Sequence, residues 1–258
     1  MLNVKFLHVP RTGILKYFEI GRLYAGRAMV LKYFEEIFQE LSTDYQEFRC
    51  AVVGGGHDEV ELRIVLTYFP KAEVTTFDIR ESADVTIDLN NYNVVPKEWK
   101  NRFDLVICCQ TLEHVWNIDL AITNLTTLVR MGGKIWVNVP ASNLKHGGDE
   151  YFSAGYQASL LSNLFALKGV QEISKGEIGS ERLYLMIHKQ RSWPKIETHT
   201  NPFLRGFRSR KDLYQLNFLK SLYRNIEAIL WSGEVIVGSD FSTETWFYGE
   251  KQSATTLE

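Results

Sequence analysis

Between Cys50 and Pro140 the chain repeats one pattern: a short apolar run that stops at a glycine or an acidic residue. The runs are CAVVGGGHDE, TTFDIR, TIDLNN, FDLVICCQTLEHV and MGGKIWVNVP. Strands that read as near-unbroken apolar stretches are buried on both faces, which is the habit of parallel sheets covered by helices. In such sheets ligands sit beyond the carboxyl ends of the strands. Those ends are where the glycines and acids fall here. The pattern therefore constrains the fold class to α/β and says on which edge of the sheet to look for a site.

The spacing predicts strands over 49–53, 73–77, 84–87, 103–109 and 134–139. Helices are expected over 58–68, stopped before Pro70, and over 118–130, with Ile118, Ala121, Ile122, Leu125 and Val129 on one side. Gly132 and Gly133 read as the close of that second helix. A helix follows over 159–165, and 169–174 with 182–188 read as a closing pair of strands, seven in all. Residues 14–41 are helical by spacing. Val30, Tyr33, Phe34, Ile37, Phe38 and Leu41 make the apolar stripe, and Lys32, Glu35, Glu36 and Glu40 face away. The expected organisation is a helical segment at 1–48, a core at 49–190 and an extension at 191–258. Within the extension, the basic run 191–211 reads as a solvated linker. Ser209 and Asp212 read as a capping box that opens a helix over 213–230, and 234–237 reads as one more strand. The aromatic tail with Phe241, Trp246, Phe247 and Tyr248 reads as a lid or a homodimer contact.

Composition narrows the partners. Of 258 residues 45% are hydrophobic and 23% charged, which is globular usage, and the formal net charge is -2. No global basic field draws nucleic acid or an anionic membrane, so a small molecule is the expected partner. No apolar run approaches the roughly 18 residues of a membrane span, and the first residues lack a signal-peptide pattern. Cys50, Cys108 and Cys109 fall in buried strand patterns, as small core hydrophobes of a reducing, cytoplasmic compartment. No Cys/His spacing indicates a zinc site, so no metal is expected.

Gly54, Gly55 and Gly56 follow the first strand directly, where missing Cβ atoms let the backbone turn sharply and approach a ligand. A dinucleotide fingerprint would need glycine at 59, where Glu59 stands, and Asp58 and Glu59 would repel a pyrophosphate. That argues against a nicotinamide-dependent dehydrogenase. Asp78 ends the second strand about 20 residues further on, where a carboxylate can accept both hydroxyls of a ribose; the plainer reading is a capping acid. Asp88 ends the third strand in TIDLNN, where an Asx turn with Asn90 and Asn91 is the plainer reading.

The order of these pieces resembles a class I S-adenosylmethionine-dependent methyltransferase of the small-molecule group, most closely in FDLVICCQTLEHV. The resemblance implies a Rossmann-like, mostly parallel seven-stranded sheet with helices on both faces and the last strand inserted antiparallel. It implies S-adenosylmethionine as cofactor and in-line methyl transfer to a small-molecule acceptor. The implied cofactor contacts are Gly54, Gly55 and Gly56 on the methionine part and ribose, and Asp78 on the ribose. Ile79, Asp88 and Leu89 fall on the adenine, and Gln110 and Thr111 along the adenosine. His114 is implied as the proton-accepting base beside Glu113. The loop after the fifth strand, with His146, Tyr151 and Tyr156, is implied to touch the acceptor. Two positions depart from the family pattern: Val52 where an acid is usual, and Asp58 where a third glycine is usual. They motivate a second reading, a non-catalytic protein on the same fold. A third is an aminopropyltransferase-like enzyme, but its acid would be expected at Gln110 or Thr111.

Overall fold

The computed structural model describes residues 23–24, 27, 30–31, 33–37, 47–146, 149–179, 181–190, 195–196, 236–237 and 241–252. Residues 14–22 and 38–41 of the expected 14–41 helix, the basic run 191–211 apart from Lys195 and Ile196, the Ser209–Asp212 box and the 213–230 helix lie outside them. The chain divides into two compact units, Phe34–Glu177 with Glu244–Glu258, and Met1–Tyr33 with Ile178–Thr243.

The larger unit is built on strands β2 (Arg49–Val53), β3 (Glu73–Asp78), β4 (Val85–Thr86), β5 (Phe103–Cys109), β6 (Val129–Pro140), β7 (Val170–Gly179) and β10 (Ser242–Lys251). They lie side by side in the order β4-β3-β2-β5-β6-β10-β7. The pairs β3–β4, β2–β3, β2–β5 and β5–β6 are parallel. β10 runs antiparallel to β6, with Thr245 opposite Val139 and Phe247 opposite Val137. Helix α1 (Val60–Tyr68) crosses from β2 to β3, and α2 (Ile118–Leu128) from β5 to β6. A third helix, α3 (Ala158–Ala166), leads into β7.

Alternation along the strands sends side chains to two buried faces. Ala51, Val53, Val106, Cys108, Ile135 and Val137 share a core with Ala121, Ile122 and Leu125 of α2 and Leu161 and Phe165 of α3. The intervening Cys50, Val52, Leu105, Ile107 and Trp136 are equally buried on the other face. There Phe34 packs on Trp136 with ring centroids 4.9 Å apart. Phe34 belongs to the expected early helix, whose described residues 27, 30–31 and 33–37 are helical, whereas Leu23 and Tyr24, also expected in it, form a strand whose backbone groups pair with Lys195 and Ile196. The three cysteines are free and buried.

Four sequence expectations are corrected. Glu35 does not face away: it is buried, and the Tyr68 hydroxyl donates to its carboxylate at 3.2 Å. Gly132 and Gly133 do not close α2, which ends at Leu128. They form a bulge inside β6, with Gly132 at φ 70°, where the register slips between Phe103 and Leu105. The segment 182–188 is not a strand but lies within helix α4 (Glu181–Gln190). Most of the tail is not an exposed lid: Ser242–Gly249 are buried along an inserted strand, with Phe241 before it 39% exposed.

In the smaller unit, β1 (Leu23–Tyr24) pairs antiparallel with β8 (Lys195–Ile196). There β9 (Ile236–Val237) pairs with Ile178 and Gly179. No helix among the described residues is long and apolar enough to cross a membrane.

Candidate functional site

The carboxyl ends of β2, β3 and β5 converge on a cleft of about 430 Å³, bordered by Gly54, Asp78–Arg80, Ile87–Asn90, Gln110, Thr111, His114–Trp116, Glu150 and Phe152. That volume falls in the range of small-molecule sites. The turn out of β2 depends on Gly54, which sits at φ 77° and donates its N–H to the Phe77 carbonyl at 2.7 Å. A Cβ there would collide with the Thr111 side chain. Gly55 and Gly56, expected at the site, do not line the cleft. The Glu59 carboxylate lies where a Cβ on Gly55 would be.

Asp78 stands at the tip of β3 with its side chain 8% exposed. Its Oδ1 accepts from the Arg80 backbone N–H at 2.9 Å and Nε–H at 3.1 Å, and its Oδ2 from Arg80 Nη2 at 2.7 Å. Burial pulls this carboxyl upward, but the hydrogen bonds and positive charge of Arg80 outweigh it and hold the group below the ordinary carboxylate value. Arg80 itself is 65% exposed. A partner that exposed is screened by solvent, so drawing it off Asp78 costs about 1 kcal/mol.

Asp88 forms the Asx turn that its neighbours suggested. Oδ1 accepts from Asn90 N and Nδ2 at 2.9 and 3.0 Å, and Oδ2 from Asn91 Nδ2 at 3.1 Å. Asn90 then accepts from the Trp116 backbone N–H at 3.1 Å, joining two walls of the cleft. The buried Asn124 donates to the Leu89 and Asn91 carbonyls, both at 3.0 Å.

Gln110 adopts φ 50°, a left-handed conformation that costs a non-glycine residue about 1–2 kcal/mol. It aims the amide at two buried partners: Nε2 donates to Asn138 Oδ1 at 3.0 Å and to Glu244 Oε2 at 2.9 Å. Asn138 Nδ2 also donates to Glu244 Oε2, at 3.2 Å. The tips of β5, β6 and β10 are thus tied under the cleft floor. Thr111 donates to the Cys109 carbonyl at 2.9 Å. Burial pushes the Cys108 thiol up to about 12, so it stays protonated.

At the other end, Glu113, His114 and His146 bring one potential ligand atom each within 4.8 Å of one another. Glu113 is fully buried. The Tyr151 ring lies 5.9 Å from the His114 ring and 4.7 Å from that of His146. Burial, helped by the Glu113 charge, pushes the Tyr151 phenol up to about 12. Tyr156 stands elsewhere: its hydroxyl donates to the Leu112 carbonyl at 3.2 Å, and its ring packs on the core.

The sequence did not single out Arg80, Trp116, Phe152, Asn138 or Glu244. Trp116 and Phe152 are exposed by 63% and 53% at the cleft rim, beside Ile79 at 61%. One signal was available: an Arg two places after Asp78 can fold back on it. The others arrive through loops and an inserted strand that local spacing does not announce.

No protein-family model and no curated protein matches the chain. Among solved structures, a putative sarcosine dimethylglycine methyltransferase from Galdieria sulphuraria is 13% identical, covers 91% of this chain and 93% of its own, and has a TM-score of 0.49. A putative methyltransferase from Bacillus halodurans is 10% identical, with 85% and 99% covered and a TM-score of 0.46. The phosphoethanolamine N-methyltransferase 2 of Haemonchus contortus, solved with S-adenosyl-L-methionine, is 14% identical with a TM-score of 0.49. It matches 96% of this chain, which spans 60% of that one. Likenesses of this strength assign neither substrate nor activity.

Proposed function

We propose that the cleft binds S-adenosylmethionine and that the protein transfers its methyl group to a small-molecule acceptor. The observation that carries this reading is the buried Asp78 carboxylate at the tip of β3, facing a cleft that borders the glycine turn after β2. Both carboxylate oxygens are oriented for donors, and a ribose supplies two hydroxyls. Arg80 occupies those oxygens with hydrogen bonds that the sugar would replace. Ile79, Leu89 and Val115 offer apolar surface to an adenine, and Gln110 and Thr111 border the adenosine. The Asp88 carboxylate is held in its Asx turn, so it would reach an adenine amino group only by sharing an oxygen with Asn90 or Asn91.

The cofactor supplies a methyl on positively charged sulfur. The protein's part is alignment of the acceptor for in-line attack, which can lower the barrier by roughly 7–11 kcal/mol. His114, which lines the cleft, and its neighbours Glu113 and His146 mark the acceptor end. Where the acceptor has a proton to lose, it leaves toward that cluster. Calorimetry with S-adenosylmethionine and with its demethylated product tests the reading. Binding of both, one per chain, is expected; absence of either sinks it. Binding without turnover across a panel of hydroxyl and amine acceptors would favour the non-catalytic alternative that Val52 and Asp58 motivate.

A further inference from the structure

We infer that Glu113, His114 and His146 hold a divalent transition-metal cation at the acceptor end of the cleft, and that this cation binds the acceptor through a hydroxyl oxygen. The second half rests on the methyl-transfer reading; the first does not.

The two histidines come from different loops, one after β5 and one after β6, yet ligand atoms of all three residues meet within 4.8 Å. Main-chain bonds clamp the loops together: the Glu113 carbonyl accepts from Phe152 N at 2.9 Å and from Ser153 N at 3.2 Å. His114 Nδ1 lies 2.8 Å from the Glu150 carbonyl, and His146 Nδ1 lies 2.9 Å from the Leu144 carbonyl. A carbonyl only accepts, so each Nδ1 carries a proton, and in the neutral ring each Nε2 carries the lone pair. A carbonyl fixing one ring nitrogen so that the other can ligate is the outer-shell arrangement of metal-binding histidines. The Tyr151 ring buttresses both imidazoles.

Two imidazoles and one carboxylate form a donor set of zinc, manganese and iron sites that keep coordination positions open. Ligand bonds of about 2.1 Å at tetrahedral or octahedral angles set donors about 3.0–3.4 Å apart, so the half-buried imidazoles draw inward by up to about 1.5 Å on loading. His114 borders the cleft, so a cation held by this cluster would stand beside it. With the imidazoles taken up as ligands rather than bases, an acceptor hydroxyl on the cation would become more acidic and release its proton to water. Its oxygen pair then forms the bond to the methyl carbon as the carbon–sulfur bond breaks, and that pair stays on sulfur as a neutral thioether.

The test uses the full chain, stripped with chelator and titrated with Mn²⁺ by calorimetry, beside a separate titration with S-adenosylmethionine. One Mn²⁺ per chain is expected, with affinity lowered at least tenfold by His146→Ala and unchanged by His57→Ala, a surface control. Electron paramagnetic resonance of the Mn²⁺-loaded unmodified chain should carry nitrogen couplings from imidazole, a readout that depends on no variant folding. No Mn²⁺ binding, binding indifferent to His146→Ala, or absent nitrogen couplings would overturn the site. Mn²⁺ binding without S-adenosylmethionine binding would keep the site and remove the methyl-transfer reading; the reverse result would do the opposite.

Discussion

The two ends of the cleft are prepared for ligands in different ways. At the end proposed for the nucleoside, Asp78 is held by Arg80 and Asp88 by Asn90 and Asn91. A ligand there enters by exchange, displacing partners the chain supplies to itself. At the acceptor end, the imidazoles of His114 and His146 are each anchored through Nδ1 to a main-chain carbonyl. That contact settles which ring nitrogen carries the proton before anything binds, and loading then requires only a shift of the rings. On the proposed reading, the difference teaches that selectivity at the first end would be set by competition with Arg80, and at the second by imidazoles whose tautomer the backbone fixes in advance.

Substitutions can break or sharpen that contrast. The largest expected effect is at the turn both ends share. Gly54→Ala forces a left-handed backbone onto alanine and drives a Cβ into Thr111. Stability should fall by about 3 kcal/mol, read by chemical denaturation; a loss under about 1 kcal/mol would mean the turn relaxes freely. Asp78→Ala comes next. Losing two hydrogen bonds to a charged group should weaken S-adenosylmethionine binding by about 2–3 kcal/mol, a 30- to 150-fold change, and leave Mn²⁺ binding alone. Equal losses at both would show the ends to be one site.

Asp84 offers a control behind the nucleoside end. The Thr76 backbone N–H at 2.8 Å, then the Thr76 hydroxyl and His57, both at 2.9 Å, hold its carboxyl below the ordinary value. A carboxylate depressed in the folded chain adds stability that is present above its unfolded pKa and lost as pH falls through the folded one. Because the Asp84 side chain is 46% exposed, solvent screens these contacts, so Asp84→Ala should cost well under about 1 kcal/mol at pH 7, a cost that fades as the pH falls through the folded carboxyl's lowered pKa. A cost that persists in acid would mean packing, not charge. The smallest effect on ligand binding belongs to Arg80→Ala. Freed from its internal competitor, Asp78 should bind S-adenosylmethionine about fivefold tighter, and weaker binding would mean that Arg80 itself grips the ligand.

Much of this was readable along the chain because the central strands are covered on both faces. β5 is buried at all seven positions, and FDLVICC could be little else. Asp78 and Asp88 were found because a strand end followed by a turn is a local event. β10 was missed for the opposite reason. Its Ser-Thr-Glu-Thr start reads as surface, yet Glu244 is buried against Asn138 and Gln110, residues more than a hundred positions away. Helix α4 was read as a strand because Leu183, Leu185 and Ile187 alternate, and a short apolar run suits either period. His114 and His146 were each named from the chain as acceptor-side residues, but not their meeting with Glu113: the two stand 32 apart in the sequence, and only folded loops join them.

The account turns on the sugar contact at Asp78. S-adenosylhomocysteine and its 2′,3′-dideoxy analogue, titrated into the unmodified chain and into Asp78→Ala, isolate it as a double cycle. Removing the hydroxyls should cost the unmodified chain at least tenfold in affinity and cost the variant almost nothing. An equal loss in both proteins would contradict the account.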